Sequence, residues 1–339
     1  MEILRDIKSV HVFEYMNLIG IKVIDFTTLL PGPYATKMMA DMGAEIIKIE
    51  NPNAPRLEDI FPPHVDSEPL VYKILNGSKH VEQVDLKSEV GRAKISSLLR
   101  EADVCIEQFR PGTMERLGFG YEQVREINPS IVYCSISSFG QEEKRAGHDI
   151  NFLARSGIAS LLGNPPKLPG IQLGDIVGGS LHAIIGILAA LFARERTGEG
   201  GYIDISMADC ITSLGLLKFS YALAGMEIPP LGTEILDGGS IYDFYETKDG
   251  RFLSIGSIEQ KFFKELLTGL ELDYSGENHL FDKDLKAQIR DIVKTHNFEH
   301  WITIFKDLDA CVEPVLTMDE VLRTQDDGDM DIKHPIHYK

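Results

Sequence analysis

Apolar residues fall along this chain in two alternating rhythms. Ile21-Lys22-Val23-Ile24-Asp25-Phe26 is a short, nearly continuous apolar run of the kind that forms a strand covered on both faces. The turn Pro31-Gly32-Pro33 follows, then helical spacing from Ala35 to Met42 closed by Gly43, and a second run, Ala44 to Glu50. Strand, helix and strand in about 30 residues predict a parallel pair with a right-handed crossover. The rhythm repeats: strand-like Val81–Leu86, an amphipathic helix over Ser88–Arg100, a strand over Ala102–Ile106, a short helix over Tyr121–Glu126, and a strand over Ser130–Ser137. Such alternation predicts an α/β fold, a Rossmann-like and mainly parallel sheet with helices on both faces.

Periodicity weakens between Gln141 and Gln172, where Gly, Pro, Asn and charged residues gather. Long irregular segments inside compact domains are often functional. Ile176–Ala193 then reads as an apolar helix near membrane-spanning length, but Gly178, Gly179, Ser180, His182 and Gly186 favour a buried core helix. A strand over Tyr202–Ser206 and a helix over Met207–Ala224 complete a large domain, 1–224. Beyond a composition shift at Gly225–Gly239, short strands such as Phe252–Ile255 and helices at 260–271, 283–295 and 298–307 predict a smaller α+β domain, 225–318. The segment 319–339 is expected to return to the large domain, while residues 1–18 carry no clear pattern.

Composition narrows the partners. The 339 residues carry a net charge of −18, which argues against nucleic-acid binding and against a polybasic membrane surface. Anionic ligands stay open, because a few Arg residues and helix N-termini suffice to hold phosphates. The four cysteines, 105, 134, 210 and 311, form no C-x-x-C pair and read as reduced thiols of a cytoplasmic protein, with Cys105 and Cys134 in the core. There is no signal-peptide pattern at the N-terminus and no peroxisomal Ser-Lys-Leu address at the end.

GxGxxG, the P-loop, H-E-x-x-H, G-x-S-x-G and zinc-spaced Cys/His are all missing, so no metal site is expected. What remains is acid/base chemistry. Ala146-Gly147-His148-Asp149 is the most polar-dense point of the irregular region, and His148 followed by Asp149 suits proton transfer. An ordinary surface-loop histidine fits the same letters. Asp175 opens the apolar helix, ahead of Gly178 and Gly179. It reads equally as a helix cap or as a carboxylate with a raised pKa at the mouth of a site, the glycine amides facing an oxyanion. Arg110 and Arg116 follow a strand end, where open α/β sheets bind ligands. Glu259 follows a strand of the smaller domain, and His182 reads as a satisfied core histidine.

Taken together, the motifs resemble those of the family III CoA-transferases. Gly20–Asp25, Pro31-Gly32-Pro33, Ala40–Glu45, Asp85-Leu86-Lys87, Arg110-Pro111-Gly112 and Ala189–Gly198 carry the resemblance, which runs from about residue 19 to about 325. Within the family, Gly147-His148-Asp149-Ile150-Asn151, Leu236–Gly239, Gly256–Glu259 and Asp309–Val315 are similar to the α-methylacyl-CoA racemase branch. The resemblance implies an enzyme whose two bases are His148 and Asp175, supported by Asp149 and Glu259. It implies coenzyme A contacts at Leu29, Pro31, Gln108, Phe109, Arg110, Arg116, Gly147 and Phe152. It further implies an interlocked homodimer and no cofactor beyond the coenzyme A of the substrate. The expected reaction is racemisation of 2-methylacyl-CoA. CoA transfer through an aspartyl thioester at Asp175 is the alternative, and a non-catalytic acyl-CoA-binding protein is the alternative of another class.

Three departures stand out. Asn51 occupies a position where the family carries an Arg, leaving Lys48, Arg56 or Lys79 to take that phosphate contact. Ile171 replaces a polar residue, and the chain lacks the usual Pro-rich C-terminal stretch.

Overall fold

The computed structural model describes residues 17–276, 278–324 and 336. All but residues 17 and 18 of the extension 1–18, and most of the C-terminal segment 319–339, therefore lie outside the described residues. The chain forms two compact units, one running to Leu216 and a second beginning at Leu217.

In the first unit, six strands make one sheet: β1 (Lys22–Asp25), β2 (Glu45–Glu50), β3 (His80–Gln83), β4 (Val104–Glu107), β5 (Val132–Ser137) and β6 (Gly201–Ser206). Every pairing is parallel, in the order β3-β2-β1-β4-β5-β6. This is the doubly wound arrangement, in which strand order reverses between β1 and β4. Side chains alternate across the sheet, so its two faces build two cores. Val23, Ile46, Val104, Ile106, Val132 and Cys134 face one side, against α1 (Pro31–Asp41) and the apolar helix. Ile24, Ile47, Ile49, Cys105, Ile131 and Tyr133 face the other, against α2 (Glu89–Glu101). The near-continuous apolar runs of the sequence are what a sheet buried on both faces requires.

Three elements differ from expectation. The irregular stretch 141–172 contains a short helix, α3 (Asp149–Arg155), because Asn151 Oδ1 accepts the His148 N–H (3.0 Å) and so starts a turn that the sequence pattern hides. The apolar helix begins as a π-helical segment, Gly174–Leu181, and continues as α4 (His182–Thr197). It is not buried all round. Ala183, Ile184, Ile187 and Leu191 pack into the core, while Ile185 and Phe192 are exposed. By length and composition alone this helix could cross a membrane, but its inward row belongs to the sheet core. After β6 comes α5 (Met207–Thr212), and the helical pattern then breaks at a tight turn, Ser213–Gly215.

The second unit holds a three-stranded antiparallel sheet, β7 (Asp243–Glu246), β8 (Phe252–Ile255) and β9 (Val312–Pro314), with β8 in the middle. Helices α6 (Gln260–Leu270), α7 (Lys283–Val293) and α8 (Phe298–Phe305) cover it, burying Tyr245, Leu253, Phe263, Leu266, Ile289 and Trp301.

One buried amide closes the crossover between α2 and β5. Asn128 Nδ2 donates to the carbonyls of Leu99 (3.0 Å) and Ala102 (2.8 Å), and its Oδ1 accepts from the Ser130 N–H and hydroxyl. An Asn128→Ala variant strands these groups in the interior and should lose about 2 kcal/mol. Urea unfolding should show a lower midpoint at an unchanged slope.

Candidate active site

The carboxyl ends of β1 and β4 lie at the reversal of strand order, where ligands bind in open α/β sheets. The loop after β1 is held by buried groups. Leu29 takes a left-handed backbone (φ 61°), a strained conformation for a leucine, and its N–H donates to buried Glu58 (2.7 Å). Gln108, just after β4, bridges the same loop: its Oε1 accepts the Gly32 N–H (3.1 Å) and its Nε2 donates to the Thr28 carbonyl (2.7 Å). Leu29, Gln108 and Phe109 therefore belong to two adjoining loops, and Pro31 opens α1; the expected turn at Pro31-Gly32-Pro33 is the first turn of that helix. Arg110 and Arg116 are exposed beside them, with Arg116 Nη2 donating to Thr113 (2.9 Å).

The π-helical segment docks on this loop. Ser180 Oγ, fully buried, donates to the Pro31 carbonyl (2.6 Å). A Cβ added at Gly179 would sit 2.7 Å from Pro31 Cβ, and one at Gly178 would sit 2.6 Å from the Met207 carbonyl. Their missing side chains are thus needed for helix packing, a reason the sequence does not show.

Asp175 lies in the first turn of that segment rather than at its cap, which is Leu173. Its N–H donates to Asp149 Oδ1 (3.0 Å), joining two positions 26 residues apart. Asp149 directly follows His148, so this bond brings the His148 turn to the start of the Asp175 helix. Burial, followed by the nearby Asp149 charge, pushes the Asp175 carboxyl up to about 6. Among the described residues no hydrogen bond reaches that carboxylate or the His148 ring, and His148 is exposed. Phe152 is buried under Gly147 and Gly174, stacked edge-on against Phe139, so it supports the turn from below. Glu259 is exposed on the second unit, where its carbonyl starts α6.

His182 is satisfied as expected, its Nδ1 lying 2.6 Å from the Val177 carbonyl. Two of the proposed substitutes for the missing Arg need correction. Lys48 and Lys79 are buried and engaged inside the protein, Lys48 with the Thr27 carbonyl (2.7 Å) and Lys79 with Asp25 (3.3 Å). A lysine in an apolar strand reads as an amphipathic residue, but here the interior supplies its acceptors. Arg56 is paired with Glu68 and Asp59 and lies over the Tyr72 ring.

Sequence reasoning also missed two buried carboxylates. Burial alone would raise Asp25, but the Lys48 and Lys79 charges and the Thr27 and Thr36 hydroxyls outweigh it and bring it to about 2. Glu107 is raised by burial to about 7, although it accepts the Phe109 N–H (2.7 Å) at the edge of the β4 loop. The only available signal was an acidic residue closing an otherwise apolar strand.

Residues 18–330 match CoA-transferase family III, and the chain belongs to this family. The human α-methylacyl-CoA racemase is 35% identical over 318 residues, which cover 91% of this chain and 80% of that protein. The acetyl-CoA:oxalate CoA-transferase of Acetobacter aceti is 32% identical over 317 residues, covering 89% and 81%. A crystal structure of a CAIB/BAIF family protein from Brucella suis superposes with a TM-score of 0.75 at 27% identity, covering 91% of this chain and 86% of that one.

The position of Asp175 has a measurable cost. Its folded value, about 6, lies above its ordinary 3.8, so the folded state binds the proton more tightly. Stability from this group is complete below the ordinary value and is lost as pH rises through 6. Asp175→Asn should therefore leave stability near pH 4 almost unchanged and raise it at pH 8 by about 1–3 kcal/mol. Thermal melts at the two pH values test the sign.

Proposed function

We propose that this enzyme racemises 2-methylacyl-CoA thioesters, with His148 and Asp175 as the two proton carriers. The observation that carries this reading is the Asp149–Asp175 hydrogen bond, which joins the histidine turn to a carboxyl raised to about 6. A thioester acidifies its α-carbon proton because the resulting enolate places charge on oxygen. One base takes that proton, leaving the electron pair in the enolate, and the protonated partner returns a proton to the opposite face. Each carrier must titrate near neutral pH for this exchange to run in both directions. Asp175 meets that need through burial and the Asp149 charge.

In this scheme the amide end of the π-helical segment faces the enolate oxygen, while Gly178 and Gly179, expected to serve that oxygen, pack on Met207 and Pro31 instead. Coenzyme A is held by Leu29, Pro31, Gln108, Phe109, Arg110 and Arg116, with Gly147 and Phe152 closing the histidine side. Glu259 carries no assigned step. The family membership supports an interlocked homodimer and a reaction that needs no group beyond the substrate's own coenzyme A. The four free cysteines are in keeping with a cytoplasmic location.

CoA transfer is the second reading, supported by relatives of that activity at 32% identity. There Asp175 attacks the thioester carbonyl, the thiolate of coenzyme A leaves, and a mixed anhydride forms. His148 has no required part.

Incubating a chiral 2-methylacyl-CoA in deuterated water without an acceptor acid separates the two. Deuterium at C2 together with loss of optical purity is the expected result. His148→Ala should slow this exchange by about 10²–10⁴-fold. Acceptor-dependent CoA movement with no exchange would assign the chain to the transferases.

A further inference from the structure

A carboxylate that serves one face of a carbon must be held in place, and the Asp175 segment is anchored on Pro31 as well as on Met207. Ser180 Oγ bonds to the Pro31 carbonyl, and Gly179 lies against the Pro31 ring. What fixes Pro31 lies beneath it. We propose that the buried Asp25–Lys79 pair, with Thr36 and Lys48, is a positioning network that sets the Asp175 carboxylate through the Pro31-Gly32-Pro33 turn. This inference rests on the reading of Asp175 as a proton carrier.

The network is built on both sides of the turn. Both side chains of the Asp25–Lys79 pair are completely buried. Lys79 Nζ lies within hydrogen-bond distance of four oxygens: the Pro33 carbonyl (2.9 Å), Thr36 Oγ1 (2.8 Å), Asn76 Oδ1 (3.0 Å) and Asp25 Oδ2 (3.3 Å). It therefore grips the first turns of α1, which opens with Pro31-Gly32-Pro33, at two points. Asp25 Oδ2 also accepts the Thr36 hydroxyl (2.6 Å), and Asp25 Oδ1 accepts the Thr27 N–H (2.8 Å) and hydroxyl. Lys48 Nζ donates to the Thr27 carbonyl (2.7 Å). Thr27 is in turn the wall behind Gly32, where an added Cβ would meet the threonine side chain at 2.2 Å. Position thus passes from the ions to Thr27 and Pro33, from the turn to Pro31, and from Pro31 to the Asp175 segment.

Stability alone does not account for such an arrangement. Desolvating an ion pair costs about as much as the pairing returns, and an apolar replacement of a whole buried cluster is often neutral. What charge adds is direction, because each acceptor fixes one ammonium or hydroxyl vector. Removing only one ion would leave its partner buried and unpaired. The test therefore removes the pair in an Asp25→Asn/Lys79→Met double variant, which leaves Lys48 on the Thr27 carbonyl, and uses Thr36→Val, which removes no charge, as a milder second variant.

Two readouts are needed. Hydrogen–deuterium exchange of backbone amides, followed by mass spectrometry, reports on 174–181 without requiring activity. It should accelerate roughly tenfold in the variants, while 132–137 in β5 stays protected. In the C2-exchange assay kcat should fall about tenfold to a hundredfold with KM within about twofold, because displacement of a reacting group acts on the bound complex. Folded variants with unchanged amide exchange at 174–181 would overturn the inference, as would a rise in KM alone. If the double variant fails to fold, Thr36→Val decides. If the parent enzyme shows no C2 exchange, the racemase reading falls, and the amide exchange still decides whether the network holds the segment.

Discussion

The close packing of the π-helical segment against Pro31 and Met207 governs the rest of the site. Two glycines bring its backbone into contact with these residues, and a buried serine hydroxyl secures it to the Pro31 carbonyl. Helices packed this closely leave little room for adjustment, so Asp175 is placed as accurately as the turn beneath it. Asp175 itself is half-buried, and this partial withdrawal from water is the main reason its carboxyl is raised to about 6.

Charge is used in opposite ways on the two sides of that turn. Below it, a carboxylate surrounded by lysines and hydroxyls is held ionised, with Asp25 at about 2. Above it, a half-buried carboxyl near the Asp149 charge is raised to about 6. The residue type is the same and the outcome depends on the neighbours. A net charge of −18 therefore says little about either site, because local partners decide the titration of each group.

Family membership and site geometry answer different questions. Relatives with racemase and CoA-transferase activities match most of the chain at nearly equal identity, so the shared fold does not choose between them. In the proposed scheme an aspartate at position 175 serves either chemistry and the histidine at 148 separates them. The His148 backbone bond to Asn151 and the Asp149–Asp175 link tie the histidine turn to the start of the Asp175 segment.

Much of the fold was legible in the sequence, because a strand buried on both faces needs an uninterrupted apolar run and an amphipathic helix needs its own period. Val23-Ile24 and Val104-Cys105-Ile106 announced central strands for that reason, and the breaks between runs marked the crossovers. The letters also drew attention to His148 and Asp175, yet taken by themselves they fitted a loop histidine as well as a base, and a helix cap as well as a catalytic carboxylate. Only the tertiary structure supplied their surroundings, because the partners are distant in sequence: Asp149 for Asp175 across 26 positions, and Pro31 for Ser180 across 149. It also decided that Lys48 and Lys79 face inward, which no local pattern reveals, since a lysine is buried only where the rest of the chain supplies its acceptors. Sequence determined which segments become strands and helices through local periodicity. The tertiary structure decided which side chains share an environment, and with that their charge and their chemistry.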